Sequence, residues 1–189
     1  MNRSLNVIDR AALRIAKFIR ANNPNAGSEA ALKYSLSLLI NTLSAVAISL
    51  AFCAMTGHLY QGLAVIACFL LLRYFSGGVH LSSSLACCLA SVFLVVALAH
   101  VHFGYRHLGF AMDIVSLAIV LRKAPEGIEK VSRVDRKYYP LLKWISAAIV
   151  SANFAVQSPL LSAVFFVQSL TLLKPAYTLV NYVERRLSK

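Results

Sequence analysis

With 59% apolar residues, 14% charged residues and a mean hydropathy of +0.68, this 189-residue chain departs from the soluble norm of about 25% charged residues. Its charge lies in patches between long apolar runs, the pattern lipid requires, which leaves little material for a soluble domain. The net charge of +12 fits juxtamembrane anchoring to anionic lipid rather than nucleic-acid binding, because no recognition module accompanies it.

In chain order, Leu5–Ala21 puts Leu5, Ile8, Ala12, Ile15 and Ile19 on one helical stripe, with Arg10, Arg14, Lys17 and Arg20 mostly opposite. That pattern predicts an amphipathic helix lying on the inner leaflet, ended by Asn22-Asn23-Pro24-Asn25-Ala26-Gly27. It serves either as a cap helix or as a docking surface for an amphipathic, membrane-bound partner. No small-residue cleavage site is present, so no removable signal peptide is expected.

Six apolar stretches follow: Leu32–Met55, Leu59–Leu72, Leu81–Val101, Leu108–Leu121, Leu141–Val156 and Leu160–Leu173. The first and third reach the roughly 20 residues a span needs; the other four are short and require thinning, snorkelling ends or partial re-entry. If the N-terminus is cytosolic and all six cross, every lysine and arginine except Arg106 falls on one face, as the positive-inside rule demands. The expected fold is an all-α polytopic membrane protein of about six transmembrane helices plus the amphipathic N-terminal helix. It forms a single membrane-embedded domain, with an amphipathic segment (1–27), a bundle (32–173) and a cytosolic tail (174–189), and both termini are cytosolic.

The four cysteines form no disulfide framework. Cys53 and Cys68 sit inside apolar runs and read as small buried hydrophobes. Cys87 and Cys88 lie near the cytosolic end of the third stretch, where free thiols are expected. The same topology puts His58, His100, His102 and His107 at or near the outer face and leaves His80 alone on the cytosolic side, in the segment Arg73-Tyr74-Phe75-Ser76-Gly77-Gly78-Val79-His80-Leu81-Ser82-Ser83-Ser84-Leu85-Ala86-Cys87-Cys88. On one continuous helix His80 and Cys87 would stand about 10.5 Å apart along the axis, out of hydrogen-bond reach. Gly77-Gly78 permits a turn, and Ser82, Ser83 or Ser84 can cap a new helix with Cys87 in or just past its first turn. There the helix dipole and His80 would favour a thiolate, the arrangement that nucleophilic acyl transfer uses. Arg73 would hold a substrate carboxylate or support the oxyanion, unless it is a topological anchor and the glycines a plain tight turn. The segment has no His-x-x-x-His or Cys-x-x-Cys ligand set, so neither metal nor cofactor is expected.

The segment from Arg73 to His80, with Cys87 seven residues after His80, resembles the signature of the accessory gene regulator B family, membrane peptidases that process cyclic-peptide precursors in quorum sensing. Ala124-Pro125-Glu126 and the charged stretch through Arg136-Lys137-Tyr138 resemble that family's cytosolic loop. The resemblance implies Cys87 as nucleophile, His80 as general base and acid, and supporting roles for Arg73, Gly77 and Gly78. It further implies an AgrD-like propeptide with an amphipathic leader and an acidic tail as substrate, a thioester intermediate, closure to a thiolactone or lactone, and association of two copies. Leu81 departs from the pattern where many members carry a small residue, and the adjacent Cys88 blurs the assignment, with Cys87 favoured. Asp113 is an intramembrane acid, a usual mark of function, but lies about 12 Å above the inner end of its span. Glu126, Glu129 and Asp135 lie on the correct side, so the third catalytic member stays unassigned. The rival functions are a small transporter, with Asn41, Asp113 and Asn153 as its only polar path, and a non-catalytic scaffold.

Overall fold

A computed structural model describes residues 6–23, 25–79, 81, 83–128 and 134–187. His80, Ser82 and Glu129, and the flanking Arg3, Leu5, Pro24, Lys130, Arg133 and Lys189, lie outside the described residues. The described chain is all-helical apart from one isolated β-bridge, Gly77 to Glu126. Its helices are α1 (Val7–Asn22), α2 (Glu29–Met55), α3 (Leu59–Ser76), α4 (Ser84–Ala99), α5 (Phe110–Lys123), α6 (Tyr139–Val156), α7 (Pro159–Leu170) and α8 (Lys174–Leu187).

The starts follow local chemistry. Asn6, Ser28, Ser83 and Ser158 each accept a hydrogen bond from a backbone N–H of the first turn of α1, α2, α4 and α7. Proline in the first turn of α6 and α7 spends a position whose N–H would be unpaired anyway. One turn of π-helix, Tyr105–Gly109, leads into α5.

From α2 to α7 the chain alternates in direction. One end of the bundle holds the start of α2, the end of α3 and the start of α4; the other holds the α2–α3 turn, the end of α4 and the α6–α7 turn. Parallel neighbours confirm the register: Ser37 of α2 meets Ser84 of α4, and Thr56 after α2 meets His100 after α4. Three helices, α2, α3 and the stretch Arg136–Val156 that contains α6, are long and apolar enough to cross a membrane, or four if α7 and α8, bent by 73°, count as one span. Of the remaining expected spans, α4 (16 residues) and α7 (12 residues) are shorter than their apolar runs, and α5 matches its run at 14 residues. The third run begins at Leu81, but its helix begins at Ser84, because the residues after Gly77 are spent on a turn that Ser83 then caps.

The helices bury small and polar groups and expose large apolar ones. Ser49, Ser76, Ser116, Ser146, Ser162 and Asn153 are each 1% exposed or less, whereas Leu43 is 60% and Phe93 77% exposed. In water this inversion would be an aggregation hazard; in lipid it is the expected packing, since small residues let helices approach and polar ones bond across them. Gly62 illustrates it: a side chain there would come within 2.8 Å of Cys53 Sγ on α2. α1 packs its Ile8, Ala12 and Ala16 face inward and exposes Val7 and Phe18.

Candidate active site

The site forms where α3 ends. Gly77 (φ +74°) and Gly78 (φ +130°) turn the chain off α3 in conformations that L side chains rarely adopt. Space forbids a side chain as well: a Cβ on Gly77 would strike the Glu126 carbonyl, and one on Gly78 would strike Thr171 Oγ1. The turn is held by backbone bonds from Gly78 N to Glu126 O (2.9 Å), Glu126 N to Ser76 O (3.0 Å) and Val79 N to Thr171 O (3.2 Å). The 124–128 segment and the end of α7 thus clamp the turn from two sides.

Side chains complete the clamp. Gln168, fully buried on α7, donates from Nε2 to Ser76 Oγ (3.1 Å) and Gly77 O (2.7 Å). Its Oε1 accepts from Arg73 Nη1 at 3.4 Å, while Arg73 Nη2 donates to Val79 O. The sequence allows Arg73 to hold a substrate carboxylate, support the oxyanion or anchor the topology; its hydrogen bond to Val79 O fixes the backbone one residue before His80. Gln168, Thr171 and Tyr177, whose hydroxyl lies where a side chain on Gly127 would go, are not legible in the sequence because they are distant from the segment and carry no motif. Burial pushes the Tyr177 phenol above its ordinary range, Glu126 adds to this, and Arg73 opposes it.

α4 presents the thiols differently. Cys87 follows the first turn, its N–H bonded to Ser83 O at 2.9 Å, and its side chain is half-buried. It lines a cleft of about 230 Å³ between α2, α3 and α4, together with Arg73, Val79, Leu81 and Thr171. Cys88 is 4% exposed and packs with Ile8 of α1 and Ala45 of α2. The residues flanking His80 on both sides therefore share a cleft with Cys87, and Cys88 does not line it.

The start of α4 is tied to the rest. Asp9 of α1 accepts from Ser37 Oγ (2.6 Å) and Ser84 Oγ (3.0 Å), joining three helices three residues before Cys87. Asp113 lies elsewhere: it is fully buried and accepts from Asn153 Nδ2 at 2.9 Å, and the same amide bonds Ser162 Oγ. This cluster joins α5, α6 and α7, while Asn41 lines the cleft beside α4. The three polar residues considered for a transport path do not line a common one. Among the described residues no group of three or more His, Cys, Asp or Glu side chains is arranged to hold a metal.

An all-helical bundle with polar groups buried in its core, large apolar side chains outside and long apolar helices defines a multi-pass membrane protein. Within that class, the chain belongs to the accessory gene regulator B family, whose model, described as Accessory gene regulator B, matches residues 12–179. An AgrB-like protein of Halalkalibacterium halodurans is 25% identical over 120 residues, 63% of this chain and 61% of that relative, so the match spans less than two thirds of the curated protein's length. No solved structure matches.

Proposed function

We propose that this protein is a membrane cysteine endopeptidase that cleaves a small AgrD-like quorum-sensing propeptide and promotes closure of the released segment into a thiolactone or lactone. Cys87 Sγ attacks the scissile carbonyl, and the amide C–N bond breaks as His80 delivers a proton to the leaving amine, giving a thioester on Cys87. A cysteine thiol or serine hydroxyl within the peptide then attacks that thioester. The C–S bond breaks, the nucleophile's proton passes through His80 to the Cys87 sulfur, and the ring closes with the enzyme regenerated. Arg73 holds the backbone of the His80 segment, and its guanidinium, with five N–H donors, has others for the oxyanion.

The observation that carries this reading is the company Cys87 keeps: one cleft contains its side chain, Arg73, and both neighbours of His80. The burial of Cys88 under α1 supports Cys87 as the nucleophile. Arg122 and Lys123, exposed at the end of α5 just before the segment that clamps Gly77, suit an acidic leaving tail. We also propose six crossings, with both termini and the site cytosolic, and a homodimer embedded among anionic lipids.

The test is conversion of a tagged propeptide, supplied by the small open reading frame beside the gene, in membranes carrying Cys87→Ser, His80→Ala or Cys88→Ser. Mass spectrometry should find no cleaved tail with the first two and normal cleavage with the third. Conversion by Cys87→Ser or His80→Ala defeats the peptidase reading.

A further inference from the structure

Beyond the end of α7 the chain has two physical options: α8 completes a span that α7 begins, or it turns out of the bilayer's path. α7 has 12 residues, about 18 Å of helix against a hydrocarbon core of about 30 Å. α8 departs from it at 73°. Its 14 residues make about 21 Å of helix, which at that angle advances only about 6 Å along the direction of α7. The bend is built in. Pro175 excludes a continuous helix, because its ring would clash with the Thr171 carbonyl and it has no N–H to offer it. That carbonyl accepts from Val79 N at 3.2 Å instead. Straightening the two helices would break one of the bonds that hold the glycine turn.

α8 is two-sided. Ala176, Leu179, Val180 and Val183 fall on one side at helical spacing, and Lys174, Thr178, Asn181 and Arg185 on the other. α8 packs little against the other helices, and its apolar side is left open, with Leu179 63% and Val183 38% exposed. Arg186 stands at the edge of that side, held by Tyr182: its Nη2 donates to the tyrosine hydroxyl at 2.8 Å, and its guanidinium lies over the ring. An open apolar side, a basic excess and a tyrosine at the border suit a helix lying in a membrane interface. A spanning half-helix would instead carry Lys174, Asn181 and Arg185 into hydrocarbon.

We propose that α8 is an in-plane anchor on anionic lipid. Leu179 and Val183 enter the leaflet at the site's end of the bundle, Arg186 meets lipid phosphate, and Lys174 and Arg185 add to the attraction for a negative surface. The occupant is the bilayer, because α8 follows directly on a bundle whose large apolar side chains face outward, and its cations outnumber Glu184. The anchor also reaches the site. The buried Tyr177 hydroxyl lies 2.6 Å from the place a Cβ on Gly127 would take, against the 124–128 segment that clamps Gly78. Fixed on the leaflet, α8 holds that segment to the glycine turn.

The test introduces Leu179→Cys, Val183→Cys, Thr178→Cys or Asn181→Cys singly into the full-length protein lacking its native thiols. Each is labelled with the environment-sensitive dye NBD and reconstituted into vesicles containing phosphatidylglycerol. Dye at positions 179 and 183 should emit at shorter wavelength and be quenched by nitroxide on lipid acyl chains. Dye at 178 and 181 should be quenched by aqueous iodide. Arg186→Gln should lower the ratio of nitroxide to iodide quenching at 179 about fivefold, the effect of one cation at an anionic surface, and vesicles of phosphatidylcholine alone should lower it as well. Iodide quenching alike at all four positions, which an unfolded tail would also give, overturns the anchor. Nitroxide quenching alike at all four overturns it too, since α8 would then be the second half of a span. Protection at 179 and 183 that appears only with added propeptide gives the face to the substrate and overturns the lipid assignment, and equal quenching in the two kinds of vesicle overturns the role of anionic lipid. None of these results reads cleavage, so the peptidase reading stands or falls separately.

Discussion

Side chains at the end of α3 are chosen by space and by hydrogen-bond satisfaction. Gly78 is held at φ +130°, with Thr171 Oγ1 and Arg73 Nη1 crowding the position a Cβ would take. Gly78→Ala therefore has to distort either the α7 end or the guanidinium. A cost of about 1–3 kcal/mol is expected from strain of this kind, seen as a lower unfolding temperature in detergent together with loss of propeptide conversion. Gln168 tests a different force. Gln168→Leu keeps the volume but removes the amide shared by Ser76 Oγ, Gly77 O and Arg73, a loss of about 1–3 kcal/mol centred on the buried Ser76. If Gln168→Leu matches the wild type in both stability and conversion, the clamp does not position the His80 segment. Arg73 and the glycine pair were legible in the sequence because a motif contains them; Gln168 was not, because its partners are more than ninety residues away.

Among the elements, α1 and α4 show how a helix can be placed by a partner outside its own run of sequence. The amphipathic stripe predicted α1, and a serine cap predicted the new start of α4; both helices form, with Ser83 as the cap. The stripe suggested an interfacial helix serving as a cap or a docking surface; in the structure Ile8, Ala12 and Ala16 are buried and Asp9 reaches two hydroxyls on α2 and α4. A charge-assisted hydrogen bond contributes about 1.5–3 kcal/mol, so Asp9→Ala should loosen the start of α4. The expected result is faster alkylation of the buried Cys88 by a maleimide, with reduced propeptide conversion. A Cys88 labelling rate unchanged in Asp9→Ala would show that α1 contributes nothing to the placement of α4.

At the scale of the molecule, the arrangement of helix ends carries the topology. Arg73, Arg122 and Lys123 lie at the end where the 124–128 segment meets Gly77, and the His58–His100 pair, with ring centroids 4.2 Å apart, closes the opposite end. Single cysteines replacing Arg106 and Lys123 in a background lacking native thiols should be labelled by an impermeant maleimide from opposite sides of sealed vesicles. Labelling of both from one side would break the six-crossing proposal. The Asp113–Asn153–Ser162 cluster is predicted to hold together the start of α5, the end of α6 and the start of α7. Asn153→Leu, which removes an amide donor from the buried Asp113 carboxyl, should lower the unfolding temperature while Cys87 keeps its iodoacetamide reactivity.

By itself the sequence determined the membrane setting, the helical class and the family signature. Hydropathy and charge placement follow directly from composition along the chain, and the Arg73–Cys87 segment is contiguous. Only the tertiary structure buried Cys88 while leaving Cys87 on a cleft, and brought Glu126, Gln168 and Thr171 to the glycine turn. Each of those facts is a juxtaposition of surfaces from different helices. Periodicity reports which face of a helix is apolar, but the identity of the neighbour packed on that face is decided by the global arrangement of the bundle.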